Sequence, residues 1–248
     1  MKKLTYIITA LLALLTVAAC SEREWPNTLP TDQQTEGEGS IEVQLRGSAT
    51  RATTSTITKE EANLFLVTIT KGDELVAQQT QLGNVGHMTF PAGYGYKLFV
   101  ESITESQAET LNDGWGAKRF TGNSKSFGIQ AGQTTAVAVN CTVANAAVAV
   151  NLEAEGCTVI VSDGTRSLTT TEDRIAYFNI PQTGKLDVTL TIQKDGETIK
   201  EEPLTLEPAQ VKDVNIVDKE PESETGTLGI TITYDDHFEV VETEINVE

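Results

Sequence analysis

Aromatic residues, histidine, cysteine and positive charge are all scarce in this chain of 248 residues. Phe, Trp and Tyr together make up 6%, so any packed core must be filled by Val, Ile, Leu and Thr. Two histidines, His87 and His237, stand isolated in the sequence. No serine, cysteine or paired carboxylate occupies a recognisable nucleophile setting. The glycine pairs Gly93-Tyr94-Gly95 and Gly114-Trp115-Gly116 lack the strand-to-helix context of a phosphate loop. The chain therefore reads as non-enzymatic, and no cofactor is expected. Asp235-Asp236-His237 with Glu239 offers oxygens suited to calcium, but an acidic hairpin turn accounts for the same residues. Eighteen basic side chains face 36 acidic ones, for a formal charge of −18. Such a surface is repelled by phosphate backbones, which argues against nucleic acid as a partner.

Long apolar runs are confined to the amino terminus. Lys2 and Lys3 precede the stretch Ile7 to Val17, which has signal-peptide length and is too short for a comfortable bilayer span. Val17-Ala18-Ala19-Cys20 resembles the bacterial lipobox, with cleavage between Ala19 and Cys20 and acylation of Cys20. Several acyl chains on one residue would make a stable membrane anchor. Ser21 is not the aspartate of an inner-membrane retention signal, and Ser21-Glu22-Arg23-Glu24 loosely resembles a surface-export signal. The expected address is the outer membrane, lipid-anchored and facing the cell surface. Loss of residues 1–19, with two lysines and no acid, would take the charge to −20. Residues 20–38 carry little that is apolar and read as a flexible tether.

From Ser40 the hydrophobic pattern takes the period of two that marks half-buried strands. Ile41, Val43 and Leu45 share one face, as do Leu98 and Val100 with Tyr96. Lys59 to Asn63 and Ser102 to Leu111 are the only plausible helices. Short strands punctuated by Gly, Asp and Pro imply an all-β fold of two tandem sandwich modules, over 39–144 and 145–219. An acidic linker and a terminal hairpin, turning at Tyr234 to His237, would occupy 220–248. A disulfide between Cys141 and Cys157 is open to an exported protein, but buried single thiols suit their separate strands better.

The second half repeats the first in outline. Gly128 to Gln133, followed by Val137 and Val139, has the layout of Thr205 to Gln210, followed by Val214 and Ile216, at an offset of 77. Phe90-Pro91 parallels Ile180-Pro181 ahead of the next alternating strand. Pro91 to Gln133 spans 42 residues and Pro181 to Gln210 only 29. The extra length in the first copy falls at Ser102 to Gly122, which contains Trp115.

Several of these pieces carry a resemblance: Gly39 to Val43, Phe90 to Tyr94, Phe120-Thr121-Gly122, Ala131 to Thr134 and Cys141 to Asn145. With the lipobox and tether they resemble a family of Bacteroidota lipoproteins known only as domain of unknown function 4493. More distantly, the chain resembles the fimbrillin superfamily, which implies transthyretin-like or immunoglobulin-like sandwiches and a structural or adhesive role. In those pilins a protease cuts after an arginine behind the first strand and so opens a groove for a strand of the next subunit. By that resemblance Arg51-Ala52 would be the cut site and other pilin-like subunits the partners. The rival reading is a surface glycan-binding lipoprotein, in which Trp115, Tyr94 and Tyr96 make a platform for stacking a sugar ring. Aromatic plugging of an open sandwich end explains Trp115 as well.

Overall fold

In a computed structural model of the chain, residues 36–47, 53–55, 57–219, 229–241 and 244–247 are described. Cys20, Ala19, Arg51 and Ala52 lie outside them.

The first repeat contains β1 (Glu38–Gly47), β2 (Thr53–Ser55), β3 (Leu66–Lys71), β4 (Glu74–Gln81), β5 (Phe90–Pro91), β6 (Gly93–Glu101), β7 (Phe120–Ser124), β8 (Phe127–Ile129) and β9 (Thr134–Val143). The second contains β10 (Asn145–Leu152), β11 (Cys157–Ser162), β12 (Ser167–Thr170), β13 (Arg174–Asn179), β14 (Leu186–Lys194), β15 (Glu197–Leu206) and β16 (Gln210–Lys219). Alternation accounts for most of them. In β9, Val137, Val139, Cys141 and Val143 are buried while the residues between are exposed, so β-branched side chains fill one face of the pleat. These four join Ile41, Val43, Leu45, Ile69, Leu98 and Val100 in a first core. A second core gathers Val148, Val150, Val159, Val161, Phe178, Leu190, Ile192 and Ile216.

Three short helices stand among the described residues, one more than the sequence suggests. The first, α1 (Lys59–Asn63), is closed by a capping box in which Thr58 and Glu61 each bond the other's backbone N–H. The unforeseen one, α2 (Leu82–Val85), is a single turn that buries Leu82 and Val85 on one side, three residues apart. The third, α3 (Gln107–Thr110), is shorter than Ser102 to Leu111, because Ser102 is still bonded to Phe120 through its backbone and side chain and Thr104 Oγ1 accepts from the Gln107 N–H, so the helix starts only after them.

The repeat is written in strand register. β1 runs parallel to β9, with Ser40 opposite Thr134 and Leu45 opposite Val139. β10 runs parallel to β16, with Ala147 opposite Val211 and Leu152 opposite Ile216. The β9-to-β16 offset is the 77 seen in the sequence, and that from β1 to β10 is 107. The order β4-β3-β6 recurs as β12-β11-β14. One correspondence needs correction. Gly39 faces Phe90 as Ala146 faces Phe178, so Phe90 matches the equally buried Phe178, two residues before Ile180.

The terminal piece forms two strands, β17 (Gly229–Val241) and β18 (Glu244–Val247), but they pair elsewhere than with each other. β17 runs antiparallel to β16, from Lys219 opposite Gly229 to Gln210 opposite Phe238, and then parallel to β2. β18 lies antiparallel along β1. The turn expected at Tyr234 to His237 is therefore continuous strand, because β16 supplies a backbone partner for every residue there. In the first repeat the neighbour of β9 away from β1 is β7; in the second, β17 takes that place beside β16.

Candidate functional site

Three of the pieces of sequence that carry the family resemblance, Gly39 to Val43, Phe90 to Tyr94 and Ala131 to Thr134, converge on the start of β1. The N–H of Ala92 donates to Gly37 O at 2.8 Å, that of Gly132 to Glu38 O at 2.7 Å, and that of Ser40 to Gln133 O at 2.9 Å. Ser40 Oγ and Thr134 Oγ1 share a 2.7 Å hydrogen bond. A Cβ on Gly39 would come within 2.2 Å of Gln130 O, so only glycine permits this approach. Tyr96 lies beneath, fully buried, its hydroxyl donating to Pro91 O at 2.6 Å. Beyond this clasp β1 is held by main-chain pairing on both edges, to β9 on one side and β18 on the other.

The second feature joins the repeats. After α3 the loop Asn112 to Gly116 takes positive φ at Asn112, Asp113, Gly114 and Gly116, closed by Asn112 Nδ2 donating to Gly116 O at 2.7 Å. This coil turns Trp115 into the second core, where it is 7% exposed. The Tyr177 N–H donates to Trp115 O at 2.8 Å, and the Arg174 guanidinium lies 5.1 Å from the Trp115 ring centre. Arg166 reaches across to the carbonyls of Glu109 at 2.8 Å and Gly114 at 2.9 Å, bonds Tyr177 O, and stacks on Phe178. Asn179 donates through its backbone to Glu109 Oε1 and through Nδ2 to Glu105 O. At the start of β10, Asn145 is buried, accepting from Arg119 N at 3.0 Å and donating to Ala117 O at 2.7 Å. Arg119 in turn pairs with Glu101 at 2.8 Å. The extra length of the first repeat is thus a latch on the second. Against it opens a cleft of about 530 Å³, with Trp115, Tyr177, Ile175, Asp173, Arg174 and Asn151 on its walls.

The three aromatic residues proposed as one platform are not brought together. Trp115 belongs to the second core and Tyr96 to the first, and only Tyr94, at 52% exposure, offers its ring to solvent. Burial of the other two rings removes a joint stacking surface and gives both a packing role. His87 is exposed, and His237 and Glu239 are extended strand residues in β17. Among the described residues no three His, Cys, Asp or Glu side chains gather as a metal would require.

Cys141 and Cys157 are both buried, one in each core, and neither is in a disulfide. Burial pushes the Cys141 thiol from its ordinary 9.0 up to about 12. Native protein at pH 8 should therefore leave Cys141 unmodified by iodoacetamide, and unfolding in guanidinium should expose it to rapid alkylation. Because the folded value is the higher one, this contribution to stability is complete below pH 9 and falls as pH climbs towards 12.

No curated protein matches the sequence. Among solved structures the chain is similar to the fimbrial anchor protein Mfa2 of Porphyromonas gingivalis, at 12% identity and TM-score 0.41, over 79% of this chain and 97% of that one. It is similar to the tip fimbrial protein Mfa3 of the same organism at 9% identity and TM-score 0.46, over 81% and 99%. A fimbrial assembly protein of Parabacteroides distasonis gives 13% identity and TM-score 0.45, over 81% and 99%. A family model described as a domain of unknown function (DUF4493) matches residues 37–248.

Proposed function

The chain belongs to that DUF4493 family, and from this footing we propose that it is a lipid-anchored outer-membrane protein with a structural or adhesive role at the cell surface. In this reading it is a fimbrillin-like subunit or accessory, built of modules over 39–144 and 145–219 and attached through Cys20. The observation that carries the proposal is the setting of β1. Its inward side chains Ile41, Val43 and Leu45 are 1–2% exposed, and both its edges are bound by main-chain pairing to other strands. Its departure would leave a groove between β9 and β18 that another alternating strand could fill with the same hydrogen bonds. A cut at Arg51-Ala52 would free β1 together with the Cys20 anchor.

Mass analysis of the protein purified from its own cells tests this reading. The expected species are an acylated Cys20 precursor, a mature form beginning at Ala52, and a ladder of strand-linked multimers. Intact acylated monomer as the only species on cells that display the protein would sink the subunit reading. Glycan binding, the second reading, draws support from the cleft beside Trp115.

A further inference from the structure

We infer that the cleft between the first repeat's latch and the β10–β13 sheet binds a neutral oligosaccharide. At about 530 Å³ it lies inside the range of small-ligand sites, roughly 300–1,000 Å³. One wall is apolar: Ile175 presents a 46% exposed side chain, beside half-buried Tyr177 and the rim of Trp115. The polar groups are pre-oriented, each holding its position through one atom while another stays available. Asp173 accepts from Leu152 N–H through Oδ1 at 2.7 Å, leaving Oδ2. Asn151 donates through Nδ2 to Asn215 at 2.8 Å, leaving Oδ1. Asn112 is tied to Gly116 O through Nδ2, which leaves its own Oδ1.

A sugar ring combines an apolar C–H face with in-plane hydroxyls that both donate and accept. An apolar wall rimmed by carboxylate and carboxamide oxygens matches that combination. The available atoms are mainly acceptors, which suits hydroxyl donors. They disfavour phosphate, sulfate or carboxylate ligands, as does the formal charge of −18. Arg174, the cation on the cleft wall, is already engaged by the Trp115 ring, Glu172 and the Asn112 carbonyl. The cleft is open along one side, so a single site binds weakly, and many copies on one surface would supply avidity. This use of the cleft rests on the adhesive reading above, whereas its chemistry does not.

The test passes the purified full-length chain over immobilised neutral oligosaccharides of hexose and N-acetylhexosamine units, beside sialylated and sulfated counterparts. Saturable retention on at least one neutral oligosaccharide is expected. Asp173→Asn, which keeps the Oδ1 bond to Leu152, should weaken it about tenfold. Ile175→Arg should abolish it by filling the cleft from an exposed position, with unchanged melting. Failure of every neutral oligosaccharide to bind, retention of the charged ones alone, or retention indifferent to both substitutions would overturn the inference. A chain that forms multimers on cells yet retains no oligosaccharide loses only the cleft. One that binds glycan but is displayed solely as acylated monomer loses only the subunit reading.

Discussion

Trp115→Ala is expected to destabilise the protein by about 3–5 kcal/mol, the usual cost of emptying a buried tryptophan site. The ring sits in the second core although its backbone belongs to the loop of the first repeat, so the cavity opens where the two repeats meet. Collapse around it is hindered on two sides. Gly116 is fixed at φ 81° with Ala108 O only 2.3 Å from where a Cβ would lie, and the Tyr177 N–H anchors the Trp115 carbonyl at 2.8 Å. Arg174 loses its aromatic partner as well. Because the loss falls on the latch, the two repeats should also uncouple, and denaturation should split from one transition into two. Trp115→Phe, which refills much of the volume, should recover most of the lost stability. A shift in urea midpoint worth under 1 kcal/mol would show that the latch carries little of the energy joining the repeats. Thermal melting of the two variants beside the parent decides it.

The parts of this fold that were legible in the sequence are those whose residues answer to a local rule. Strands half-buried on one face alternate, as in Ile41-Val43-Leu45 and in β9, and Thr58-x-x-Glu61 announces a helix start. The 77-residue repeat was visible because equivalent strands keep one register against their partners. β10 follows another rule. All of its residues from Asn145 to Val150 are buried, with Ala147 and Ala149 packed on the outer face beside Val211, so its pattern does not alternate. Trp115 shows a second kind of limit. Its flanking glycines mark a turn correctly, but the core it enters is built mostly from residues 146–216, and no local pattern encodes a contact across the repeats. The clue lay in the extra length itself, since a long insertion that keeps a large apolar residue needs a surface to cover. Tyr234 to His237 misleads for a related reason: Asp and His favour turns, yet ten consecutive backbone partners on β16 outweigh that local preference.

Removal of residues 220–248 is expected to abolish the folded monomer. Without β17, β16 loses its antiparallel partner along its whole length, Gln210 to Lys219. At about 0.5–1.5 kcal/mol net for each hydrogen bond, a ladder of that length is worth about 5–15 kcal/mol, which equals the entire stability of an ordinary domain. The same truncation strips β18 from β1, along Val43 to Arg46, and β17 from β2, so both repeats acquire open edges. Open edges recruit strands from other chains, and the truncated protein should elute as soluble multimers or aggregate. A synthetic peptide of residues 225–248 should restore a discrete species with saturable stoichiometry, since it returns both strands. Thr233→Pro provides the subtler version. Thr233 sits opposite Asn215 in the middle of the ladder. Since Ile216 turns its carbonyl to Glu153 and Ala154, Asn215 turns its backbone to β17. Proline at 233 therefore removes a donor to β16 and is poorly tolerated, and it should lower stability steeply while leaving the chain length intact. A truncated chain that melts like the parent would mean that the terminal strands only decorate a sheet already complete. The expected result makes them the segment through which the two repeats are closed, and it identifies β16 as an edge that a strand from a second copy would have to compete for.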